Sequence, residues 1–180
     1  SGVLKGLRQI AKRYPQVKIL IGGDKRVYEL VEADRKLYQK YVPAEDWTAL
    51  LSSLDIGLAP LSGEYDKRRS WIKALEYMAL KIPWLASDYP TYDELKPFGK
   101  LTKNGYNNWV QSLSEMIENY DDYKNLAETT AYEKALSLSA DENVEKVHIP
   151  LYEKLINEPY PIYGVDKPKP HLDPLKDLTK

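Results

Sequence analysis

Three segments in the middle of the chain decide the fold: DIGLAP at 55–60, SWIKALEYMA at 70–79 and IPWLAS at 82–87. The first is apolar on both faces after Asp55, which is typical of a strand inside a parallel sheet that helices cover on both sides. The second has apolar residues at helical spacing, and the third is another short apolar strand. Together they predict a strand, a loop, a helix and a second strand.

The same alternation continues on both sides of this block. Helix and strand patterns predict, in order, a helix before Pro15, a strand at 17–21, a charged helix at 25–36, a short strand at 38–42, a helix at 47–54, a short helix near 91–96 and a strand near 99–102. Strands and helices in strict turn predict an α/β fold with a doubly wound, Rossmann-like, mostly parallel sheet flanked by helices.

The last third of the chain changes character and is predicted to be helical. Its helices are expected at 106–120, 122–136 and 141–157. Ser139 and Glu142 suit a capping box for the last of them, and Pro150 should kink or split it. Prolines among lysines and aspartates then predict an extended tail. We therefore divide the chain into a domain at 1–157 and a proline-rich tail at 158–180.

The composition excludes several function classes. A net charge of −1 gives no general attraction to nucleic acid, so no nucleic-acid partner is expected. The chain has no cysteine, which excludes disulfides and thiolate chemistry and fits a cytoplasmic location. No apolar run approaches the ~20 residues of a membrane span, although peripheral membrane contact of a longer protein stays open. The two histidines lack the spacing of metal ligands, so no metal is expected.

The predicted helix at 70–79 carries the best candidate site. At 100° per residue, Ser70, Lys73 and Tyr77 lie within about 60° of one another, and Glu76 lies about 60° beyond Lys73. Ser70 is predicted to cap the helix. Ligands of open α/β sheets bind at the carboxyl ends of strands, and a helix N-terminus there favours phosphate. Lys73 would then meet phosphate, and Glu76 would accept hydrogen bonds from two vicinal hydroxyls, as in a ribose.

A plainer interpretation of the same helix stays open. Lys73 and Glu76 are spaced i, i+3, so they also suit an ordinary solvent-exposed ion pair. Ser70 would in that case only cap the helix.

Two loops supply further candidates. The pair Gly22-Gly23 follows a predicted strand and lets backbone approach a ligand, although a tight strand-to-helix turn explains it equally well. Lys25 and Arg26 lie just beyond and could meet a diphosphate or be solvated. The loop at 62–69 has three consecutive basic residues ahead of the helix, which indicates a binding loop or a solvated charge run.

The stretch from Pro43 to about Leu101 resembles the C-terminal, donor-binding domain of GT-B fold glycosyltransferases of the group 1 type. The matching elements are the DIGLAP strand, the helix with Ser70-x-x-Lys73-x-Leu75-Glu76-Tyr77-Met78-Ala79, and Pro83-x-x-Ala86-Ser87. Weaker similarity extends over most of 1–157.

The resemblance implies that the chain binds a nucleoside-diphosphate sugar, without a metal or another cofactor. It places the ribose at Glu76, the phosphates at Ser70 and Lys73, and the base at the loop around Pro43. It further implies transfer of the sugar, with retention, to a glycan, lipid or protein acceptor. That acceptor would bind an N-terminal domain that this chain lacks, so alone the chain is expected to bind nucleotide weakly and to catalyse nothing.

One position departs from the family pattern. The commoner pattern has two glutamates seven residues apart, and Arg68 occupies the place of the first. Arg68 stays a donor-binding candidate because it belongs to the basic loop, and no catalytic residue is assigned. Two alternatives remain: a degenerate, non-catalytic GT-B-like scaffold that binds a partner, and a receiver-like signalling domain. The latter needs an acidic cluster at strand ends, where only Asp24 and Asp55 lie.

Overall fold

A computed structural model of the protein describes residues 2–157. The chain divides into two compact units, with the boundary after Leu138. The first unit contains both sheets of the described chain, and the second is helical where it is described. The tail predicted at 158–180 lies outside the described residues, so the domain boundary predicted there stays a prediction.

Helices and strands alternate along the first unit, as predicted. In chain order they are α1 (Gly2–Arg13), β1 (Ile19–Gly22), α2 (Lys25–Leu30), β2 (Lys36–Gln39), α3 (Ala44–Ser52), β3 (Gly57–Ala59), α4 (Ile72–Ala79), β4 (Trp84–Ser87), β5 (Lys100–Thr102), α5 (Tyr106–Glu118), α6 (Tyr120–Leu126) and α7 (Tyr132–Ser137). Two 3₁₀ segments, Tyr65–Arg68 and Pro90–Phe98, precede α4 and β5, and a π-helical segment, Ala127–Ala131, joins α6 to α7.

All strands of the described residues run parallel, in two sheets. β1 pairs with β2, in the register that places Gly22 opposite Gln39. The other sheet has the order β3-β4-β5, with Leu85 of β4 opposite Leu58 on one side and Lys100 on the other. The predicted α/β class with parallel, helix-flanked strands is confirmed.

β4 is the centre of the packing. All four of its residues are buried. Because side chains alternate along a strand, Leu85 faces a core cluster that includes Ile10 and Trp109, and Trp84 faces a second cluster that includes Met78. Both faces are therefore covered by helices, as the continuous apolar pattern of the sequence predicted.

The start of α4 differs from the prediction. The helix begins at Ile72 rather than at Ser70, and Trp71 occupies the N-cap position without a side-chain capping bond. The prediction that Ser70 caps this helix was wrong. Arg69 has extended backbone, and its carbonyl accepts a hydrogen bond from the Thr91 hydroxyl, so the chain enters the helix only after this contact.

α2 and β2 also differ from the predicted helix and strand in where they begin or end. The helix expected at 25–36 ends at Leu30, where Val31 turns extended and enters the core. The Lys36 ammonium then donates to the carbonyls of Tyr28 and Val31, at 2.8 and 2.9 Å. The strand expected at 38–42 runs from Lys36 to Gln39, which leaves 40–42 as a loop at the end of the sheet.

The described part of the second unit is helical, as predicted. It comprises α8 (Ala140–Asn143), a π-helical segment (Val144–His148) and α9 (Ile149–Asn157). The Ser139 hydroxyl accepts from the Glu142 amide at 3.4 Å, which confirms the Ser139 half of the predicted capping box, whereas the Glu142 carboxylate pairs with Lys146. The π-helical segment ends two residues before Pro150, a residue that lacks the N–H a regular helix needs. No helix within 2–157 is long and apolar enough to cross a bilayer.

Candidate functional site

The polar face of α4 carries a close ion pair. The Lys73 ammonium lies 2.8 Å from the Glu76 carboxylate, and both side chains are partly exposed. Tyr77, which the helical spacing placed on the same face, is instead buried, and its hydroxyl donates to the Leu58 carbonyl of β3 at 3.1 Å. Burial, and then the neighbouring Glu76 charge, raises the pKa of Tyr77 to about 12. Tyr77 therefore fixes α4 to the sheet, while Lys73 and Glu76 remain available to a ligand.

A pocket of about 400 Å³ opens at the carboxyl ends of β1 and β2. Its size falls within the roughly 300–1,000 Å³ range of small-molecule sites. The end of β1, the loop after β2 and α3 form its wall, with the residues Gly22, Gly23, Lys40, Tyr41, Val42, Ala44, Trp47 and Leu50. The position agrees with the rule that open α/β sheets bind ligands beyond the carboxyl ends of their strands.

Gly22 and Gly23 form an open turn at this pocket. A Cβ built on either glycine would meet no other atom within 4 Å, so the backbone faces free space. Gly23 has a φ of +87°, a conformation that glycine adopts without strain. Its amide donates to the Gln39 carbonyl and its carbonyl accepts from the Tyr38 hydroxyl, at 3.0 and 2.9 Å. The turn is therefore tight, and its backbone also faces open space; that it binds a ligand stays a prediction.

Trp47 connects the pocket to the ion pair. Its side chain lines the pocket, and the Lys73 ammonium lies 4.3 Å from the centre of its ring. The structure thus brings Gly22, Gly23, Lys73 and Glu76 into one area around a single indole. The sequence pattern placed Trp47 only at the start of the predicted helix at 47–54. No local spacing could have linked it to Lys73, because the two residues lie on different helices.

The remaining predicted residues lie at different distances from this centre. Pro43 is the N-cap of α3 and stands between the two lining residues Val42 and Ala44. Lys25 begins α2 and pairs with Glu29 at 3.9 Å on the exposed surface. Arg68 ends the 3₁₀ segment before α4, Ser70 follows it, and both side chains are exposed. Neither of these last two lines the 400 Å³ pocket.

Arg26, next to Lys25, is held by its own helix cap. Its guanidinium lies 2.8 Å from the Asp24 carboxylate, and its amide donates to the same side chain. The hydrogen bond from Arg26 is the main cause that holds the pKa of Asp24 below its usual value. In this structure Arg26 therefore serves the start of α2 rather than the pocket.

The basic loop at 62–69 is fastened at its start by a buried hydroxyl. Ser87, at the end of β4, accepts from the Leu61 amide at 2.9 Å and lies 2.6 Å from the Asn104 side-chain oxygen. Asn104 in turn donates to the Leu61 carbonyl. Within the loop, the Asp66 carboxylate accepts from the Ser62 amide at 2.8 Å. These bonds give the segment before α4 a defined course, and the three basic side chains of the loop are exposed.

A larger groove of about 530 Å³ lies on another part of the first unit. Residues of α1 and α5 line it, and Arg13 there bonds to Glu118 and Ser114. None of the predicted site residues borders this groove. Within 2–157, no cluster of three or more histidine, aspartate or glutamate side chains is placed to hold a metal ion.

Comparisons with known proteins gave matches only at the level of structure. No protein-family model matches the chain. No curated protein sequence matches it either. Sucrose-phosphate synthase from Thermosynechococcus elongatus superposes with a TM-score of 0.68 at 17% identity, covering 86% of this chain and 42% of the synthase.

Two ligand-bound structures are also similar. HepE from Anabaena in complex with UDP-glucose has a TM-score of 0.66 at 17% identity, covering 87% of this chain and 44% of HepE. UDP-GlcNAc 2-epimerase from Neisseria meningitidis bound to UDP-GlcNAc has a TM-score of 0.57 at 17% identity, covering 85% and 40%. At these identities the similarity shows a shared fold, and the chain spans less than half the length of each protein.

Proposed function

We propose that this chain, which has the fold of the C-terminal domain of GT-B glycosyltransferases, is the part of such an enzyme that binds the nucleotide-sugar donor. The observation that carries the proposal is the Lys73–Glu76 pair beside a pocket at the carboxyl ends of β1 and β2. A cation, a carboxylate and an open glycine turn in one area match the chemistry of a nucleoside diphosphate, which has an anionic and a hydroxylated part.

Each part of the donor has a proposed partner. The base enters the pocket formed by the loop around Pro43 and by Trp47. The Gly22-Gly23 turn lets the diphosphate come close to backbone amides, and Lys73 supplies a compact positive charge. Glu76 accepts hydrogen bonds from the two ribose hydroxyls. Uridine is the base to test first, because HepE and the epimerase were solved with UDP-linked sugars.

Three of the predicted residues take an outer role in this proposal. Lys25, Arg68 and Ser70 lie on exposed segments and do not form part of the pocket wall. The basic loop at 62–69, which contains Arg68 and precedes Ser70, would present its basic side chains to the phosphates or to the sugar. These contacts would add to the electrostatic attraction of an anionic donor.

The reaction proposed for the longer protein is transfer of the glycosyl group from the nucleoside diphosphate to an acceptor hydroxyl. The bond between the anomeric carbon and the diphosphate breaks, a new bond forms from that carbon to the acceptor oxygen, and the leaving nucleoside diphosphate takes up the proton of the acceptor hydroxyl. We propose retention, a glycan, lipid or protein acceptor, and an acceptor site in an N-terminal domain. Lys73 and backbone amides, rather than a metal, would stabilise the leaving diphosphate.

Calorimetric titration with UDP, GDP and ADP tests the donor site. We expect one nucleotide to bind saturably, and Lys73→Met and Glu76→Gln each to weaken binding about tenfold or more, because each removes a hydrogen bond to a charged group. The ion pair between Lys134 and Glu94, at 3.1 Å, gives matched controls. Lys134→Met and Glu94→Gln should change the affinity less than twofold.

Two results would contradict the proposal. One is a folded wild-type chain that shows no saturable binding at millimolar nucleotide. The other is binding that Lys73→Met and Glu76→Gln leave unchanged.

A non-catalytic scaffold is the second candidate, and Arg68 favours it. This residue stands where the commoner family pattern has a donor-contacting glutamate, and its side chain is exposed. A scaffold would bind a partner protein through surfaces that Lys73→Met does not affect. Persistent nucleotide binding that depends on Glu76 would argue against it.

A further inference from the structure

We propose that Trp47 is a positioning residue of the donor site, whose indole holds the Lys73 ammonium toward the diphosphate while it also walls the nucleoside pocket. This inference rests on the proposed function and adds to it a residue that no family pattern assigns. It predicts that the contribution of Lys73 to donor binding depends on Trp47.

The contact between the two residues has the geometry of a cation–π interaction. The Lys73 ammonium lies 4.3 Å from the ring centre, well inside the roughly 6 Å limit for such contacts. Its second partner is the Glu76 carboxylate at 2.8 Å. A long, flexible lysine side chain loses rotamer freedom when it is held in one place, and the indole and the carboxylate together hold it there.

Trp47 is itself well anchored. It is half-buried and packs against the core cluster that contains Leu51 and Met78. Leu51 follows it by one helical turn in α3 and is buried. The indole is therefore a fixed surface, whereas Lys73 and Glu76 are partly exposed side chains that can change partner.

The need for Trp47 arises when the donor binds. If Glu76 accepts the ribose hydroxyls, it gives up part of its interaction with Lys73. The indole then remains as the partner that keeps the ammonium beside the phosphates. Without the ring, Lys73 would lose its fixed position at the moment its charge is required.

Titration of UDP and of uridine separates this role from a simple wall. Uridine fills the pocket but has no phosphates, so damage to the wall weakens both ligands equally. We expect Trp47→Leu to weaken UDP by about tenfold more than it weakens uridine, the mid-range of a partly buried cation–π contact. Trp47→Phe retains an aromatic face. In this variant the selective loss of UDP affinity should be at most half of that in Trp47→Leu, on a logarithmic scale.

Lys73→Met provides the second arm. In that background the ammonium is absent, so Trp47→Leu should weaken UDP and uridine by the same factor. The Lys73 side-chain methylene protons give a direct reading of the contact in the free protein, because the indole ring current shifts their NMR resonances upfield. That shift should disappear in Trp47→Leu while the remaining spectrum keeps its dispersion.

The outcomes distinguish the positioning role of Trp47 from the donor site itself. Wild-type protein that binds UDP, with a Trp47→Leu variant that weakens UDP and uridine equally, overturns the positioning role and leaves the donor site intact. Wild-type protein that binds none of the nucleotides overturns the donor site and the positioning role together. If Trp47→Leu does not fold, Trp47→Met replaces it as the non-aromatic variant, and equal weakening of UDP and uridine by Trp47→Met also overturns the inference.

Discussion

β2 and β4 are both four-residue parallel strands, but β2 buries none of its residues and β4 buries all of them. β4 lies between two strands and under two helical layers, whereas β2 has one strand partner among the described residues. The candidate site uses both kinds of environment. The exposed half, which is the β1-β2 sheet, supplies the glycine turn and the pocket. The buried half, which is the β3-β4-β5 sheet with the helix packed on it, supplies α4 with its charged side chains.

The largest effect is expected from a methyl group added to the buried half. A Cβ on Gly99 would lie 2.0 Å from the indole of Trp84, which is fully buried. Because neither group can move freely, we expect Gly99→Ala to lower the free energy of unfolding by about 3 kcal/mol. Urea denaturation of the variant and the wild type measures this loss of free energy.

Gly22→Ala is the matched control in the exposed half. The added methyl meets nothing within 4 Å, so the free energy of unfolding should change by less than ~0.5 kcal/mol. Similar losses in both variants would show that the two halves do not differ in packing.

The next effect concerns the buried hydroxyl of Ser87. Ser87→Ala leaves the Leu61 amide without its partner, and we expect a loss of about 2 kcal/mol in unfolding free energy. Amide hydrogen exchange at Leu61 and Ser62 should accelerate at the same time. Ser52→Ala, which removes an exposed hydroxyl that bonds only to the Thr48 carbonyl, serves as control. Unchanged exchange at Leu61 would disprove the fastening of the loop.

Two tyrosine hydroxyls compare the halves more directly. Tyr77→Phe removes a buried bond to the Leu58 carbonyl, and Tyr38→Phe removes an exposed bond to the Gly23 carbonyl. We expect Tyr77→Phe to lower the free energy of unfolding by about 1 kcal/mol and Tyr38→Phe to lower it by less than ~0.5 kcal/mol. Thermal unfolding of both variants measures the difference. Tyr38→Phe should nevertheless weaken UDP binding, since it loosens the turn that borders the pocket.

The smallest effect is a pH dependence at Glu115. Hydrogen bonds from Lys100 and Tyr123 hold the pKa of Glu115 below its usual value, so its contribution is present above pH 4.5 and is lost as the pH falls. Because the side chain is partly exposed, we expect Glu115→Gln to cost about 0.5 kcal/mol at pH 7. As the pH falls below 4.5, the variant and the wild type should converge. Glu133→Gln, an exposed control, should follow the wild type throughout, and parallel curves for Glu115→Gln would refute the assignment.

The sequence predicted the features that depend on neighbouring residues. The apolar strand at 55–60 and the helical spacing of Lys73 and Glu76 are local properties, and the structure contains both. The alternation of strands and helices likewise gave the fold class. What these patterns share is that each is completed within about ten residues.

Features that depend on distant segments were missed or misplaced. Ser70 looked like a helix cap, but Trp71 occupies that position, just after a bond from the distant Thr91 hydroxyl to the Arg69 carbonyl. Trp47 and Ser87 gain their roles from contacts with Lys73 and Leu61, which lie on other elements. A single sequence contains no periodic signal for such contacts, because they arise only when the sheet has formed.

The hydrogen bond of Tyr77 to β3 also limits which motions can accompany ligand binding at the candidate site. Since Tyr77 binds β3 and follows Glu76 directly in the chain, α4 cannot rotate to deliver the carboxylate. In the proposed donor site, Glu76 would exchange Lys73 for a ligand hydroxyl by a change of side-chain rotamer, which takes picoseconds to nanoseconds rather than the microseconds to milliseconds of a moving element. Nucleotide association should therefore follow a single exponential in stopped flow, with a rate that increases linearly with ligand concentration and no slow second phase.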